Sequence, residues 1–356
     1  KNKIPYFNRS KLLQIICKDK FTIVISGSHG KTSTTSLLGH LLVSSGLNPT
    51  IISGGIMSNF GQNIHLTDSN YVVVEADESD GTIFKLKPNY LIYLNIDREH
   101  IDYYKSFTSL KKKVKNFILK TSKNSKVILN NEDNFLNKIK SSSKNIITFG
   151  KNIKSNYSYK NVKLSKNKTI FDFNSKNKII HKKLSSPLLG EHNVQNLIAA
   201  LSLMKELDIK IDPKHIMSFK GTLRRMNILG TLGKSTLIDD YAHHPTEIQK
   251  LIEISSLYKN NEIYLIIEPH RYTRLNDLYK EYIKTLKDFK NLSILKTYSA
   301  GETLNSKMKD SKNLVNDLNV LFSQETSYLD SYFDFFKLLD RLTSDKKNKI
   351  IIAAGA

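Results

Sequence analysis

The chain reads as an α/β protein built on mostly parallel sheets, and three observations predict it. Short runs of continuous apolar, β-branched residues recur, and such runs suit strands buried on both faces. Segments with helical spacing alternate with them, as parallel sheets require. At 356 residues the chain exceeds one ordinary core, so two domains are expected, 1–220 and 221–356.

Residues 21–26 (FTIVIS) give the first strand and run into GSHGKTS. The following TTSLLGHLLVSSG places Leu37, Leu38, Leu41 and Leu42 at helical spacing and closes at Gly46. Strand, glycine loop and helix thus follow in the order of a phosphate-binding βα unit. A second strand, residues 71–75 (YVVVE), ends in the acids of EADESD; a third, residues 90–95 (YLIYLN), ends in IDREH. Residues 151–183 are rich in Lys, Asn and Ser, with brief alternation at TIFDF, and read as a small solvated β excursion. From Gly190, EHNVQNLIAALSLMKELDI sets Val194, Leu197, Ile198, Leu201, Met204 and Leu207 at helical spacing. Beyond KGTLRRMNILG, the runs STLIDDY and EIYLIIEPH start a second α/β domain.

Lys and Arg total 55 against 33 Asp and Glu, a net charge of +22. Such an excess invites a nucleic-acid reading. No nucleic-acid-binding motif accompanies it, and Lys and Asn are abundant throughout with Trp absent, a bias of AT-rich coding sequence. No nucleic-acid partner is expected, although the positive field attracts polyanions. The single cysteine, Cys17, excludes a disulfide framework and fits a reducing cytoplasm. No apolar run approaches the roughly 18 residues of a spanning helix, and KNKIPYFNRS lacks the apolar core of a signal peptide. A cytoplasmic protein without a membrane partner is the expectation.

Gly27, Ser28, His29, Gly30, Lys31, Thr32 and Ser33 match a phosphate loop, with a spacer shorter than the four-residue form. Glycines let backbone amides approach phosphate oxygens where a Cβ would intrude. Lys31 suits the β- and γ-phosphates, Thr32 offers Mg²⁺ a hydroxyl, and the helix start adds a positive dipole end. The first domain is therefore expected to be P-loop ATPase-like and the second Rossmann-like. Mg²⁺ takes hard oxygen ligands. Candidates are Glu75, followed by Asp77, Glu78 and Asp80, and His100, preceded by Asp97 and Glu99. Acid clusters at strand ends are commonly solvated turns, and a lone histidine commonly caps or packs. The adjacent phosphate loop favours the ion reading here.

GSHGKTS, EADESDG, NIDREHID, GEHNVQN, RRM, DDYAHHPTE and EPHRYTR occur in this order, and together they resemble the Mur ligases over nearly the whole chain. DDYAHHPTE and PHRYTR are most similar to the branch that adds L-alanine to the lactyl carboxylate of UDP-N-acetylmuramate. The resemblance implies ATP and Mg²⁺ as cofactors, an acyl-phosphate route, and domain closure that assembles the site. It assigns Lys31 and Thr32 to ATP phosphate and Mg²⁺, Glu75 to the same ion and His100 to a second one. His192, Asn193 and Asn196 are implied at the adenine or nucleotide. Arg225 and Asp239 are implied near the phosphates and ribose, and His243, His244, Arg271 and Arg274 at the muramyl substrate. Lys31, His100, Arg225 and His244 form the implied catalytic set.

Glu99, Met226, Asn227 and Glu268 depart from the family pattern. The family carries a further N-terminal domain and continues beyond IIAAGA, so the chain is expected to be a fragment or reduced protein, its second domain incomplete. A monomer or weak dimer is expected. Blander readings stay open: Asn193 as a helix cap, Arg224 and Arg225 as surface decoration, and Arg271 with Arg274 in exposed helical ion pairs. So do a recycling ligase that attaches a murein tripeptide and a non-catalytic nucleotide-binding relic.

Overall fold

The computed structural model describes residues 6–79, 81–258, 260–344 and 347–356; Asp80, one of the acids singled out above, lies outside them. The chain divides into two units, Lys1–Thr222 and Leu223–Ala356.

In the first unit, helix α1 (Arg9–Ile16) precedes strand β1 (Phe21–Ser26) and helix α2 (Lys31–Ser44). Strands β2 (Thr50–Met57), β3 (Gln62–His65), β4 (Tyr71–Glu75) and β5 (Tyr90–Tyr93) follow. Next come α3 (Ile101–Tyr104), α4 (Phe107–Thr121), β6 (Lys126–Asn130) and β7 (Ile146–Gly150). The unit ends with β8 (Tyr157–Leu164), β9 (Thr169–Ser175), β10 (Lys178–Ser186), α5 (Glu191–Glu206) and α6 (Pro213–Met217). Ten strands form one sheet in the order β10-β9-β8-β7-β6-β5-β1-β4-β2-β3. Pairing is parallel from β8 across to β2 and antiparallel at both edges.

β1 carries no charge and is apolar at its centre, Ile23 to Ile25, because helices cover both of its faces. Ile23 and Ile25 pack with Leu37, Leu38, Leu41 and Leu42 of α2 and with Leu197 and Ile198 of α5. Val24, pointing the other way, joins Leu110, Val114, Phe117 and Ile118 of α4. The apolar interior sits in these two layers, and the carboxyl ends of β4, β1 and β5 lie side by side. In parallel sheets, ligands bind at such ends.

Two expectations change. The lysine-rich region near 151–183 is no solvated excursion: β8, β9 and β10 continue the main sheet, and Tyr157, Tyr159, Phe171, Phe173 and Leu184 are buried in the α5-side core. Its lysines lie exposed on these strands and in the turns between them, and their number masks the alternation. The strand at 90–95 stops at Tyr93, because Asn95 leaves the ladder to bind the phosphate loop.

In the second unit, β11 (Asn227–Leu232) and β12 (Ser235–Asp240) lead to α7 (Pro245–Ser255), β13 (Glu262–Glu268), α8 (Tyr272–Asp277) and α9 (Tyr279–Leu286). β14 (Leu292–Leu295), α10 (Ser311–Phe322), β15 (Ser327–Leu329), α11 (Tyr332–Thr343) and β16 (Lys349–Gly355) complete it. The sheet order is β11-β12-β16-β13-β14-β15, parallel except at β11. Leu265 and Ile267 of β13 pack with α7, α9 and α10, whereas Ile266 packs with Leu338 and Leu342 of α11. Among the described residues, no helix is long and apolar enough to cross a membrane.

Candidate active site

The loop between β1 and α2 is shaped by its backbone. Gly27 has φ +131°, and a Cβ there would lie 2.9 Å from the Asn95 amide nitrogen. Gly30 has φ +83°, and a Cβ there would lie 2.5 Å from Asn196 Oδ1. Both positions exclude a side chain by conformation and by contact. The Ser28 amide donates to the Asn95 carbonyl (3.1 Å). The His29 amide donates to Asn95 Oδ1 (2.8 Å), and Asn95 Nδ2 donates back to the His29 carbonyl (3.0 Å). His29 Nε2 lies 3.0 Å from Asp97 Oδ2, and the Asp97 amide donates to Ser28 Oγ (2.8 Å).

Lys31 begins α2, and its ammonium folds back over the loop. Nζ donates to the carbonyls of Gly27 (2.7 Å) and Ser28 (3.0 Å) and lies 3.1 Å from Asp77 Oδ2. Glu78 Oε2 is 3.9 Å away, on a side chain with 0% exposure. Burial pushes the Lys31 ammonium down, but Glu78, Asp77, Glu99 and Glu75 together outweigh it and hold its pKa above the ordinary lysine value. Burial pushes the Asp77 carboxyl up; Lys31, Ser79 and His100 reverse that and hold it well below the usual range. Glu78 goes the other way, lifted by burial. Lys31 thus stays charged inside a surplus of acid.

Thr32 Oγ1 donates to Glu75 Oε1 (2.9 Å), and the Gly54 amide donates to Glu75 Oε2 (2.6 Å). β4 ends beside β1, so register alone puts this carboxylate at the loop. His100, with φ +55°, caps α3 and holds Nε2 at 3.8 Å from Asp77 Oδ1 and 3.9 Å from Glu99 Oε2. Ser33 sits half-buried in the first turn of α2. At the start of α5 the N-cap is Gly190, not Asn193; Asn193 Nδ2 instead donates to the Leu189 carbonyl (2.8 Å). Asn196 reaches Gly30 and donates to Asn193 Oδ1 (3.2 Å). His192 lies half-buried in the same turn.

In the second unit, Arg224 and Arg225 both lie over the Tyr241 ring, at 4.9 and 5.2 Å. Arg224 also pairs with Asp239 (3.4 Å) and donates to the Gly355 carbonyl (2.7 Å); Arg225 faces Glu247 at 3.8 Å. Buried Asp240 accepts from the amides of Met226 (2.7 Å) and Ala242 (2.8 Å). His244 caps α7 with Glu247 closing a capping box. His243 Nδ1 meets the Tyr241 carbonyl (2.8 Å), and its ring lies 5.7 Å from that of His270. Arg271 pairs with Glu302 (2.8 Å), and Arg274 donates to the His270 carbonyl (2.8 Å). Arg271 thus pairs with an acid from a distant segment of the chain, Glu302.

Sequence reasoning missed Asn95, Asp240, Tyr241, Glu247 and Glu302. Only Glu247 left a local signal, an acid three residues after the helix cap. The others act through tertiary contacts.

Residues 25–204 match the Mur ligase middle domain, and residues 224–356 match the Mur ligase, glutamate ligase domain. The UDP-N-acetylmuramate–L-alanine ligase of Pelagibacter ubique is 37% identical over 342 residues, 92% of this chain and 73% of its own length. That of Dictyoglomus turgidum is 38% identical over 309 residues, 84% of this chain and 65% of its own. The solved structure of UDP-N-acetylmuramate-alanine ligase MurC from Thermotoga maritima aligns with a TM-score of 0.78 at 25% identity, covering 98% of this chain and 74% of that one. The chain spans about two thirds to three quarters of the length of these relatives. With both domains matched in order along the sequence, the chain belongs to the Mur ligase family.

Proposed function

We propose that the chain joins L-alanine to the lactyl carboxylate of UDP-N-acetylmuramate at the expense of ATP, in the cytoplasm, as a step of peptidoglycan precursor synthesis. The relatives named for that reaction support the substrates. The observation that carries the chemistry is Lys31 and Thr32 at the tip of a strand–glycine-loop–helix unit, with Glu75 2.9 Å from the Thr32 hydroxyl.

A carboxylate is a poor acyl donor, because its charge repels nucleophiles and oxide leaves badly. Transfer of the γ-phosphoryl group onto it makes an acyl-phosphate, which the amine of alanine then attacks, releasing phosphate. Two anions must first meet. Lys31, kept charged by its acid neighbours, is proposed to turn from the loop carbonyls to the phosphates and spread their charge. Asn196, together with His192 and Asn193, is proposed to position the nucleotide base. Arg225 and Asp239 are assigned to the phosphates and ribose, and His243, His244, Arg271 and Arg274 to the muramyl substrate.

The Thr32 hydroxyl and the Glu75 carboxylate are buried hard-oxygen donors beside the loop, and such a set fits Mg²⁺. His100, with Asp77 and Glu99 within 4 Å, is the proposed ligand of a second ion. Bound there, Mg²⁺ supplies charge neutralisation at the transferring phosphoryl oxygens.

Replacing Lys31 with alanine is expected to lower L-alanine-dependent ADP release by at least about 10²–10³-fold, with unchanged far-ultraviolet circular dichroism. Near-normal turnover in a natively folded Lys31→Ala protein refutes the assignment.

A further inference from the structure

We infer that Asn95 is a positioning residue for nucleotide binding: its side-chain amide clamps both backbone groups of His29 and so holds the phosphate loop in its working shape. This deepens the ATP-binding reading of that loop and rests on it.

Three contacts of one residue meet the loop. Oδ1 accepts from the His29 amide (2.8 Å), Nδ2 donates to the His29 carbonyl (3.0 Å), and the Asn95 carbonyl accepts from the Ser28 amide (3.1 Å). An asparagine amide offers one acceptor and one donor side by side, the complement of a peptide's N–H and C=O. Gly27 packs against the Asn95 backbone so closely that a Cβ would meet its nitrogen at 2.9 Å and its oxygen at 3.0 Å. The loop is therefore cast against Asn95 from one side, while Lys31 folds over it from the other. β5 ends at Tyr93, and parallel pairing with β1 delivers the residue there, two positions past the last rung.

The direction of the amide matters. His29 N–H and C=O belong to the two peptide units on either side of its Cα; with both engaged, neither unit can rotate, and the amides that follow at Gly30, Lys31 and Thr32 keep a fixed aim. Replacing Nδ2 by an ionised oxygen sets a negative atom against the His29 carbonyl oxygen. That repels the peptide and turns the loop away from the shape that receives phosphate.

The test is ADP titration by calorimetry, with Mg²⁺ present, of the full chain and of its Asn95→Asp variant at about pH 8 and about pH 4, both proteins being checked as folded at the lower pH by circular dichroism. At the higher pH the variant is expected to bind ADP about tenfold or more weakly than the parent. At the lower pH, close to the ordinary Asp value, about half of its carboxyls are protonated and again donate to the His29 carbonyl, so the ratio of the two affinities is expected to shrink about twofold or more. A merely structural weakening gives no such recovery. Should Asn95→Asp not fold, Asn95→Ala is expected to bind about tenfold more weakly at both pH values. Equal binding by parent and a folded variant overturns the inference, as does an Asn95→Asp deficit independent of pH. If the parent itself binds no ADP, the nucleotide reading falls and this inference falls with it.

Discussion

The two units hold charge by different means. In the first, the loop from Gly27 to Gly30 is set by backbone conformation and one clamping side chain, Asn95, with two glycines at φ +131° and +83° and one cation, Lys31, among Glu75, Asp77, Glu78 and Glu99. In the second, side chains do the work: Arg224, Arg225, Arg271 and Arg274 are propped one by one by Asp239, Glu247, Glu302 and the His270 carbonyl. A backbone device has no spare geometry, so damage to it should be nearly all-or-none. A set of propped side chains can lose one prop and keep the rest. An acid-rich loop also calls for a divalent cation to complete it, whereas propped arginines present charge ready for an anion.

The largest effect should come from Gly27→Ala. The new Cβ needs both a disfavoured conformation and a shift of the Asn95 backbone, so ADP affinity is expected to drop at least about 100-fold, with strain of roughly 1–3 kcal/mol. Gly46→Ala is the comparison: φ is +88° but nothing lies within 4 Å. It should lose about 1 kcal/mol of stability and keep its nucleotide affinity. Similar ADP binding by the two variants would break the claim that backbone contact shapes this loop.

A smaller effect is expected from Glu75→Gln, which keeps the size of the side chain and one acceptor for the Gly54 amide. Losing the charge beside Thr32 should raise the Mg²⁺ concentration for half-maximal ADP release by about tenfold. An unchanged Mg²⁺ titration removes Glu75 from the metal site.

Much of this contrast is legible in the sequence. FTIVIS, YVVVE and YLIY read as buried strands because helices cover both faces and no polar alternation is needed. The glycine loop read as a phosphate site because its spacing is local. Asn95 did not, since a lone asparagine after a strand says nothing until β1 and β5 pair in register. Tyr241 was likewise silent: that two adjacent arginines share its ring depends on the turn that holds them, where Arg224 and Met226 adopt positive φ. β8 to β10 are hidden in the sequence because exposed lysines, on the strands and in their turns, outnumber the buried Tyr159, Phe171 and Phe173. Local chemistry is legible in such a chain; contacts that cross between elements are not.

The smallest expected effect concerns pH, and it arises because a buried carboxyl and a half-buried histidine of the second unit oppose each other. Burial lifts the Asp240 carboxyl from 3.8 to about 6, against the pull of Arg225 and two backbone amides. A carboxyl raised on folding contributes stability below about pH 4 and loses it as pH rises through 6. Burial lowers His243 from 6.5 to about 4. A histidine lowered on folding contributes above about pH 6.5 and loses that as pH falls towards 4. Each displacement is worth at most about 3 kcal/mol, and over pH 4–6.5 the two slopes run in opposite senses. Backbone amide exchange in β12 and α7, corrected for its intrinsic pH dependence, should therefore stay nearly flat across that range in the parent chain. Local exchange is the right probe, since a chain of two units need not unfold in one step. Asp240→Asn removes one slope and leaves the other, so its amides should lose protection steadily on acidification. If the variant stays as flat as the parent, the pair does not balance, and the props of the second unit are indifferent to protons in this range.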